Sequence, residues 1–455
     1  MSHRGPYSFT RRDDGTFEVR RGAGGVVTAL APLLARQGHL WVAAALTDDD
    51  RAALHAGAAH DDDIDLALLN FDPDLHRLHY DLVSNAVLWF LHHDLFDLPR
   101  RPRFDHRFQE AWDAYVEVNR VFANATLERA SERDVVLVQD YQLSLVPGML
   151  RDARPDLRVA HFTHTPFCGR DGIRVLPDAV ARDLCASMAG GPAGFHTARW
   201  AARYHASVDE ILGVDAPAFA ASFGPERESL EEVARSDAAA AARTSLRELV
   251  DERRILLRTD RMEPSKNIVR GFLAYDRMLE LHPEWRDRVV FVAYLYPSRE
   301  GLAEYLAYAQ EVEQAAARVN ERWARGDWTP VLVDSRDDFP RSVAGLQSYD
   351  VLLVNPIKDG LNLVAKEGPI LNRNDGVLCL SREAGAFVEL AEGALGLNPY
   401  DLEQTAHAIE AALSMDLDER RSRAKTLKDL AGARTPHDWL MDQLAAVGAS
   451  ETHVN

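Results

Sequence analysis

The stretch Arg254-Ile255-Leu256-Leu257-Arg258-Thr259-Asp260-Arg261-Met262-Glu263-Pro264-Ser265-Lys266-Asn267 opens on a short apolar run. It passes into a polar loop with two cations and then into the amphipathic segment Val269–His282. A buried strand feeding a loop and then a helix is the repeating unit of doubly wound α/β sheets. The same order recurs on either side. Asp134–Gln139, Arg158–Thr163, Arg288–Tyr294, Pro330–Val333, Val351–Asn355 and Gly376–Ser381 read as further short buried strands. Phe108–Ala130 and Glu300–Arg325 have helical periodicity. The fold class is therefore α/β with parallel sheets wound on both faces, and ligands in such sheets bind beyond the carboxyl ends of the strands.

At 455 residues the chain exceeds one ordinary core, so two domains are expected. The alanine- and charge-rich stretch Asp237–Arg254 follows a weakly patterned region, Gly213–Glu228, and places the boundary near residue 245. His437–Val447 reads as a short amphipathic helix. One feature is odd for a doubly wound domain: only Met1-Ser2-His3 precede Arg4, so the opening strand is very short or the chain starts later than its relatives.

Composition narrows the function. With 52 Lys and Arg against 71 Asp and Glu, the net charge of −19 speaks against nucleic acid or an anionic membrane as partner. No run approaches a membrane span, no apolar leader follows Met1, and three cysteines without paired spacing suit a reducing cytoplasm. In so acidic a chain, each Arg or Lys in a strand-end loop carries more information than usual.

Three loops stand out. Arg261 and Lys266 lie together at a strand's carboxyl end, a setting that suits a diphosphate; a solvated loop with ordinary charges is the competing reading. Asp359-Gly360-Leu361-Asn362-Leu363 follows another strand and enters a helix, with Asp359 as its expected N-cap and Glu367 placed to accept from ribose hydroxyls. An exposed helix carboxylate is the plainer reading of Glu367. Asp140 and His164 end adjacent strands and are either cleft residues or local caps. Gly22-Ala23-Gly24-Gly25 opens a helix and suits a phosphate or a simple tight turn. The acidic triplets Asp48–Asp50 and Asp61–Asp63 follow no buried strand and read as solvated caps or loops. His92-His93 reads as a surface or cleft pair, and no metal is expected.

Taken in order, DGLNLVAKE at 359–367, NAVLW at 85–89, QDYQL at 139–143, HTPF at 164–167, RVLP at 174–177, DR and SK within 260–266, PSR at 297–299 and NPYD at 398–401 make the chain resemble the trehalose-6-phosphate synthase family over nearly its full length. That family consists of retaining GT-B glycosyltransferases of family 20. The resemblance implies two Rossmann-like domains facing a cleft, residues 1–245 for the acceptor and 246–435 for the nucleotide sugar. A last helix, about 436–455, crosses back to the first domain.

The resemblance also implies roles. Arg4, Tyr80 and Arg299 would contact the acceptor phosphate, with Trp89 and Asp140 lining the sugar pocket. His164 and Asp359 would meet the donor glucose, Arg261 and Lys266 its diphosphate, and Glu367 the ribose. The backbone of Gly25, Gly360, Leu361, Asn362 and Leu363 would complete the anion cradle. Asp140, His164, Arg261, Lys266 and Asp359 form the expected catalytic set. Glucose would pass with retention from a nucleotide-glucose to glucose 6-phosphate, with no cofactor, and GDP-glucose used at least as well as UDP-glucose. Oligomerisation is left open.

Departures occur at His3, at Cys168–Ile173, in the string SREAGAF at 381–387 and in a short 213–250 region; they touch acceptor-side loops more than the donor loop. Three other readings remain. A pseudo-glycosyltransferase would couple a nucleotide-cyclitol to an amino-cyclitol phosphate, and a glucosylglycerol-phosphate synthase would differ only in acceptor. A non-catalytic regulatory subunit would have lost residues that are intact here.

Overall fold

The computed structural model describes residues 1–21, 25–35, 39–60 and 64–449, and its chain divides into two compact units. Each of the seven apolar runs named above is a strand, because an uninterrupted apolar segment of four to eight residues is satisfied only when both faces of its sheet are covered. The first unit runs to Phe223 and takes back the helix Pro436–Ala446; the second is Gly224–Thr435.

In the first unit a hairpin, β1 (Tyr7–Arg11) and β2 (Phe17–Arg21), precedes β3 (Leu40–Ala44), β4 (Asp65–Leu69), β5 (Val135–Gln139), β6 (Arg158–Thr163), β7 (Ala193–Phe195) and β8 (Ala218–Ala220). Strands β5 to β8 form one parallel sheet in sequence order, and β3 pairs with β4. Residues 1–4 bridge the two. Ser2 N donates to Val42 O at 3.2 Å, Ala44 N to His3 O at 3.1 Å and Gln139 N to Met1 O at 3.0 Å. Isolated parallel bridges Ser2↔Gln139 and Arg4↔Ala44 give this segment strand-like pairing between β3 and β5. The order then reverses beside it, which is the topological switch point of a Rossmann-like sheet. The helix His106–Leu127, capped by Asp105, covers one face with Val118 and Phe122 against Val136 and Val138.

The second unit holds β9 (Arg254–Arg261), β10 (Val289–Tyr296), β11 (Val331–Asp334), β12 (Val351–Val354), β13 (Val377–Ser381) and β14 (Leu395–Leu397). All are parallel, in the order β11-β10-β9-β12-β13-β14, the doubly wound Rossmann arrangement with its switch point between β9 and β12.

Several expectations change. The boundary moves from residue 245 to Phe223/Gly224, because the helices Arg227–Arg235 and Asp237–Val250 pack on Phe339–Ser348 of the second unit. His92 and His93 are buried, not superficial: His92 packs on Phe167 at 4.5 Å and accepts from Cys168 N at 3.3 Å. Of the first acidic triplet, Asp50 is buried, closing a capping box with Thr47 and accepting from Phe9 N at 2.8 Å. Residues 22–24 and the second triplet lie outside the described residues. The β1–β2 hairpin is an addition to the expected strands: its polar alternation lacks an apolar run, although Asp14-Gly15 marks its turn and Gly15 takes φ 84°. Among the described residues no helix is long and apolar enough to cross a membrane.

The first unit should be acid-labile. Burial lowers His79 and His92 to about 3 and His161 to about 4. An unfolded chain protonates these imidazoles near 6.5 while the folded one refuses, so stability is complete above that pH and falls as pH drops toward 4. The slope is about 1.4 kcal/mol per pH unit for each histidine. Urea midpoints at pH 7.5 and 5.5 check this; equal midpoints would contradict it.

Candidate active site

Each unit gathers polar side chains where its strands end. In the first unit the loop after β5 is built on Asp140, whose φ of 72° is left-handed for a residue with a Cβ. Its Oδ1 accepts from Tyr141 N and from His164 N, both at 3.1 Å, so one carboxylate ties the ends of β5 and β6. The rest of that loop is held from behind. Tyr115 Oη donates to Tyr141 O at 2.6 Å, Asn119 Nδ2 to Gln142 O at 3.1 Å, and His79 Nε2 to Gln142 O at 2.9 Å. Tyr141 Oη in turn donates to Asn85 Oδ1 at 2.9 Å.

His79 and Asn85 belong to a π-helix, Leu78–Trp89, which also carries Tyr80 and Trp89. Such helices are uncommon and cluster at functional sites. Tyr80 is half-buried and stacks on His3 at 4.5 Å, next to Arg4, whose backbone bridges to Ala44. Trp89, expected to line a pocket, is only 2 % exposed and lies 4.2 Å from the His93 ring.

Both ring nitrogens of His164 are engaged. Nδ1 meets His196 Nε2 at 3.1 Å, Nε2 meets Gln139 Oε1 at 2.9 Å, and Gln139 Nε2 donates to Gln443 Oε1 at 2.9 Å on the C-terminal helix. An amide oxygen can only accept, so Nε2 carries the proton and Nδ1 accepts from His196. Burial and His196 hold the His164 pKa well below the usual histidine range, and the ring is neutral at physiological pH. Its supports Gln139, His196 and Gln443 come from three segments far apart along the chain, so no local pattern joins them to His164.

In the second unit Lys266 and Asp359 meet across the switch point: Nζ lies 2.7 Å from Oδ2, with each side chain about one-seventh exposed (14% and 16%). Burial opposes the charge on Lys266, but Asp359, Asp260 and Glu263 outweigh it and hold its pKa above the ordinary value. Arg261 Nη1 lies 3.0 Å from Glu263 Oε1, and Arg299 Nη1 lies 3.5 Å from the same oxygen, to which Ser298 Oγ donates at 3.1 Å. Arg299 takes φ 49°, donates to Tyr305 Oη and lies over that ring at 5.3 Å. Residues 38 positions apart in sequence thus share one buried carboxylate, Glu263, whose place between Arg261 and Lys266 in the same motif is the local signal for it.

Asp359 is not the N-cap of the following helix, Val364–Leu371, as expected. The N-cap is Leu363, which makes no side-chain bond; Asn362 just before it, at φ 76°, accepts from Ala365 N on Oδ1 at 3.1 Å while its Nδ2 donates to Asp359 at 3.1 Å. Asp359 instead serves Lys266, whose attraction exceeds that of a backbone amide. The loop Asp359–Leu363 is laced to the loop after β13: Asp359 N to Glu383 O, Gly385 N to Asp359 O and Ala386 N to Leu361 O at 3.2, 3.1 and 2.7 Å. Gly360 and Leu361 are buried there. Glu367 is half-buried with no side-chain partner among the described residues, and burial raises its pKa to about 7. Gly25 is the first residue of the helix Gly25–Leu34. Among the described residues no group of three or more His, Cys, Asp or Glu is arranged to hold a metal ion.

The description "Glycosyltransferase family 20" covers residues 1–448 of the chain. The chain is 34% identical over 477 aligned residues to the trehalose-6-phosphate synthase of Mycobacterium avium, spanning 99% of this chain and 95% of that one. To the Mycolicibacterium smegmatis enzyme of the same name it is 33% identical over 479, spanning 98% and 92%. Among solved structures, a UDP-forming alpha,alpha-trehalose-phosphate synthase from Burkholderia xenovorans in complex with glucose-6-phosphate superposes with TM-score 0.83 at 25% identity, covering 94% of this chain and 97% of that one. An E. coli structure bound with UDP-2-fluoro glucose gives 0.82 at 25%, with the same coverage.

The laced loops make one substitution diagnostic. A Cβ on Gly385 would stand 1.9 Å from the carbonyl oxygen of Gly360. Gly385→Ala should therefore lower stability by roughly 1–3 kcal/mol, as overpacking does, and shift Asp359 away from Lys266. A melting temperature equal to that of the unsubstituted chain would show that the two loops part easily.

Proposed function

Since the chain belongs to glycosyltransferase family 20, we propose that it moves glucose, with retention, from a nucleotide-glucose to glucose 6-phosphate and so makes trehalose 6-phosphate. The observation that carries this reading is the Lys266–Asp359 pair across the switch point, with Arg261 and Arg299 gathered on Glu263 beside it. Each of these cations has an internal counter-ion. A donor diphosphate replaces Asp359 as partner of Lys266 and frees that carboxylate for the hydroxyls of the donor glucose. Arg261 forks onto the same diphosphate. The two cations then meet the charge that builds on the leaving nucleotide.

The amides of Gly25 and of Gly360 to Leu363 extend that cradle. Glu367, held partly protonated near neutrality, exchanges hydrogen bonds with the ribose. On the acceptor side Arg4, Tyr80 and Arg299 take the phosphate, while Asp140 and Trp89 position the sugar. His164 reaches the donor glucose by releasing Gln139, since both its nitrogens are otherwise engaged. The bond from the acceptor oxygen to the anomeric carbon forms on the face from which the phosphate leaves, and that phosphate takes the hydroxyl proton. No carboxylate nucleophile is required, and the protein's share is positioning and charge stabilisation.

The deciding experiment is product analysis with UDP-, GDP- and ADP-glucose against glucose 6-phosphate and other acceptors, including glycerol 3-phosphate. Trehalose 6-phosphate with the α,α configuration is expected; its absence under every donor overturns the reading.

Two further outcomes are expected. Arg261→Ala and Lys266→Ala should each reduce kcat by roughly 30- to 1000-fold, the loss of about 2–4 kcal/mol of transition-state stabilisation. Steady-state kinetics on variants with native circular dichroism check this, and undiminished turnover contradicts it. GDP-glucose should serve at least as well as UDP-glucose, with the base read near Tyr294–Arg299 and the segment Asp334–Phe339. There an unpaired polar edge penalises the wrong base by roughly 1–3 kcal/mol. A tenfold kcat/KM advantage for UDP-glucose would reverse that preference.

A further inference from the structure

The second unit has a cavity of about 440 Å³ at the amino end of its sheet, where β9, β12 and β13 begin. Its size falls in the range of small-molecule sites. It belongs to no loop discussed so far: β9 runs from Arg254 at this end to Arg261 at the other, so roughly 23 Å of extended strand separates the two.

Five arginines line it against three carboxylates, in a chain whose net charge is −19. Their partners sort them. Asp350 on the floor is already neutralised: Oδ1 accepts from Arg254 Nη1 at 2.5 Å and from Arg420 Nη2 at 3.4 Å, and Oδ2 accepts from Ile255 N at 2.9 Å. Arg253 turns away to Asp287 and Asp327, at 2.9 and 3.0 Å. Three guanidinium groups remain. Among the described residues the Arg243 side chain donates only to a neutral oxygen, Gln347 Oε1, at 2.9 Å, and Gln347 is fixed in that orientation because its Nε2 donates to Ala234 O at 3.1 Å. Arg247 and Arg373 are exposed, with no side-chain partner among the described residues. Asp251 and Glu252, the other two acids, stand exposed in the turn at the rim.

Guanidinium groups that carry no counter-ion around a cavity with a neutralised floor are suited to planar, multidentate oxyanions. We propose that this cavity binds a small phosphate-bearing anion through Arg243, Arg247 and Arg373, at the end of the sheet opposite the donor loop. The ligand is a phosphate or diphosphate group, free or carried on a metabolite.

The test uses the full-length chain with Arg4→Ala, Arg261→Ala, Lys266→Ala and Arg299→Ala, which removes the phosphate contacts proposed above on both the donor and the acceptor side. Calorimetric titration with inorganic pyrophosphate, and separately with inorganic phosphate, should then show one residual site, tighter for pyrophosphate and weakened by salt. Adding Arg247→Glu and Arg373→Glu, both exposed and so tolerated by the fold, should weaken it at least tenfold. Arg243→Ala should do the same without reversing charge. Either no residual binding in the first chain, or binding that the Arg247 and Arg373 substitutions leave intact, overturns the proposal. Neither readout depends on glucose transfer, so the result stands apart from the proposed reaction.

Discussion

Arg258 sits in the middle of the central strand β9 with none of its side chain exposed. A guanidinium taken out of water is tolerated only where charge and hydrogen bonds are supplied in place. Asp260 supplies the charge, accepting from Nε and Nη2 at 3.1 and 2.8 Å, and the carbonyl of Lys266 accepts from Nη2 at 2.9 Å. That last bond obliges the chain to curl back after Arg261, through a short 3-10 turn, to an Asn267 at φ 60°. The curl aims Lys266 at Asp359. One buried cation thereby fixes the loop that holds Arg261 and Lys266, the two proposed to meet the donor diphosphate.

Strand-end loops in both units rest on residues in conformations that a Cβ disfavours. Asp140 at 72°, Asn267 at 60°, Arg299 at 49° and Asn362 at 76° all follow strands and all have positive φ. Each conformation costs of order 1–3 kcal/mol and persists only where the surroundings over-determine it. The surroundings do so here: two amides on Asp140, Glu263 and Tyr305 on Arg299, Ala365 and Asp359 on Asn362, and Asn355 O and Pro399 O accepting from Asn267. Asp94, Arg133, Asp251, Asp287 and Asp375 also take positive φ, so such backbone is not confined to these four loops.

Charge is managed by the same economy of partners. Glu263 serves two arginines, Asp359 serves Lys266 and Asn362, and the buried pair Lys366–Glu389 at 2.9 Å anchors the start of the helix that bears Glu367. Glu367 has no such partner among the described residues, and its burial raises its pKa to about 7.

The sequence by itself determined the parallel α/β class, the seven apolar strands, the family and the motifs that hold Arg261, Lys266, Asp140, His164 and Asp359. These follow from local periodicity and from residues a few positions apart. It did not reveal the β1–β2 hairpin, the π-helix under Tyr80 and Trp89 or the burial of His92 and His93, and it placed the division between units about twenty residues late. Nor did it show that Glu263 joins Arg261 to Arg299, that Gln443 props His164 through Gln139, or that Asp359 abandons the helix cap for Lys266. Those are choices among competing partners. A side chain with several acceptors within reach along the chain is assigned only when folding brings a stronger, distant one to 3 Å, and only the tertiary structure brings it there.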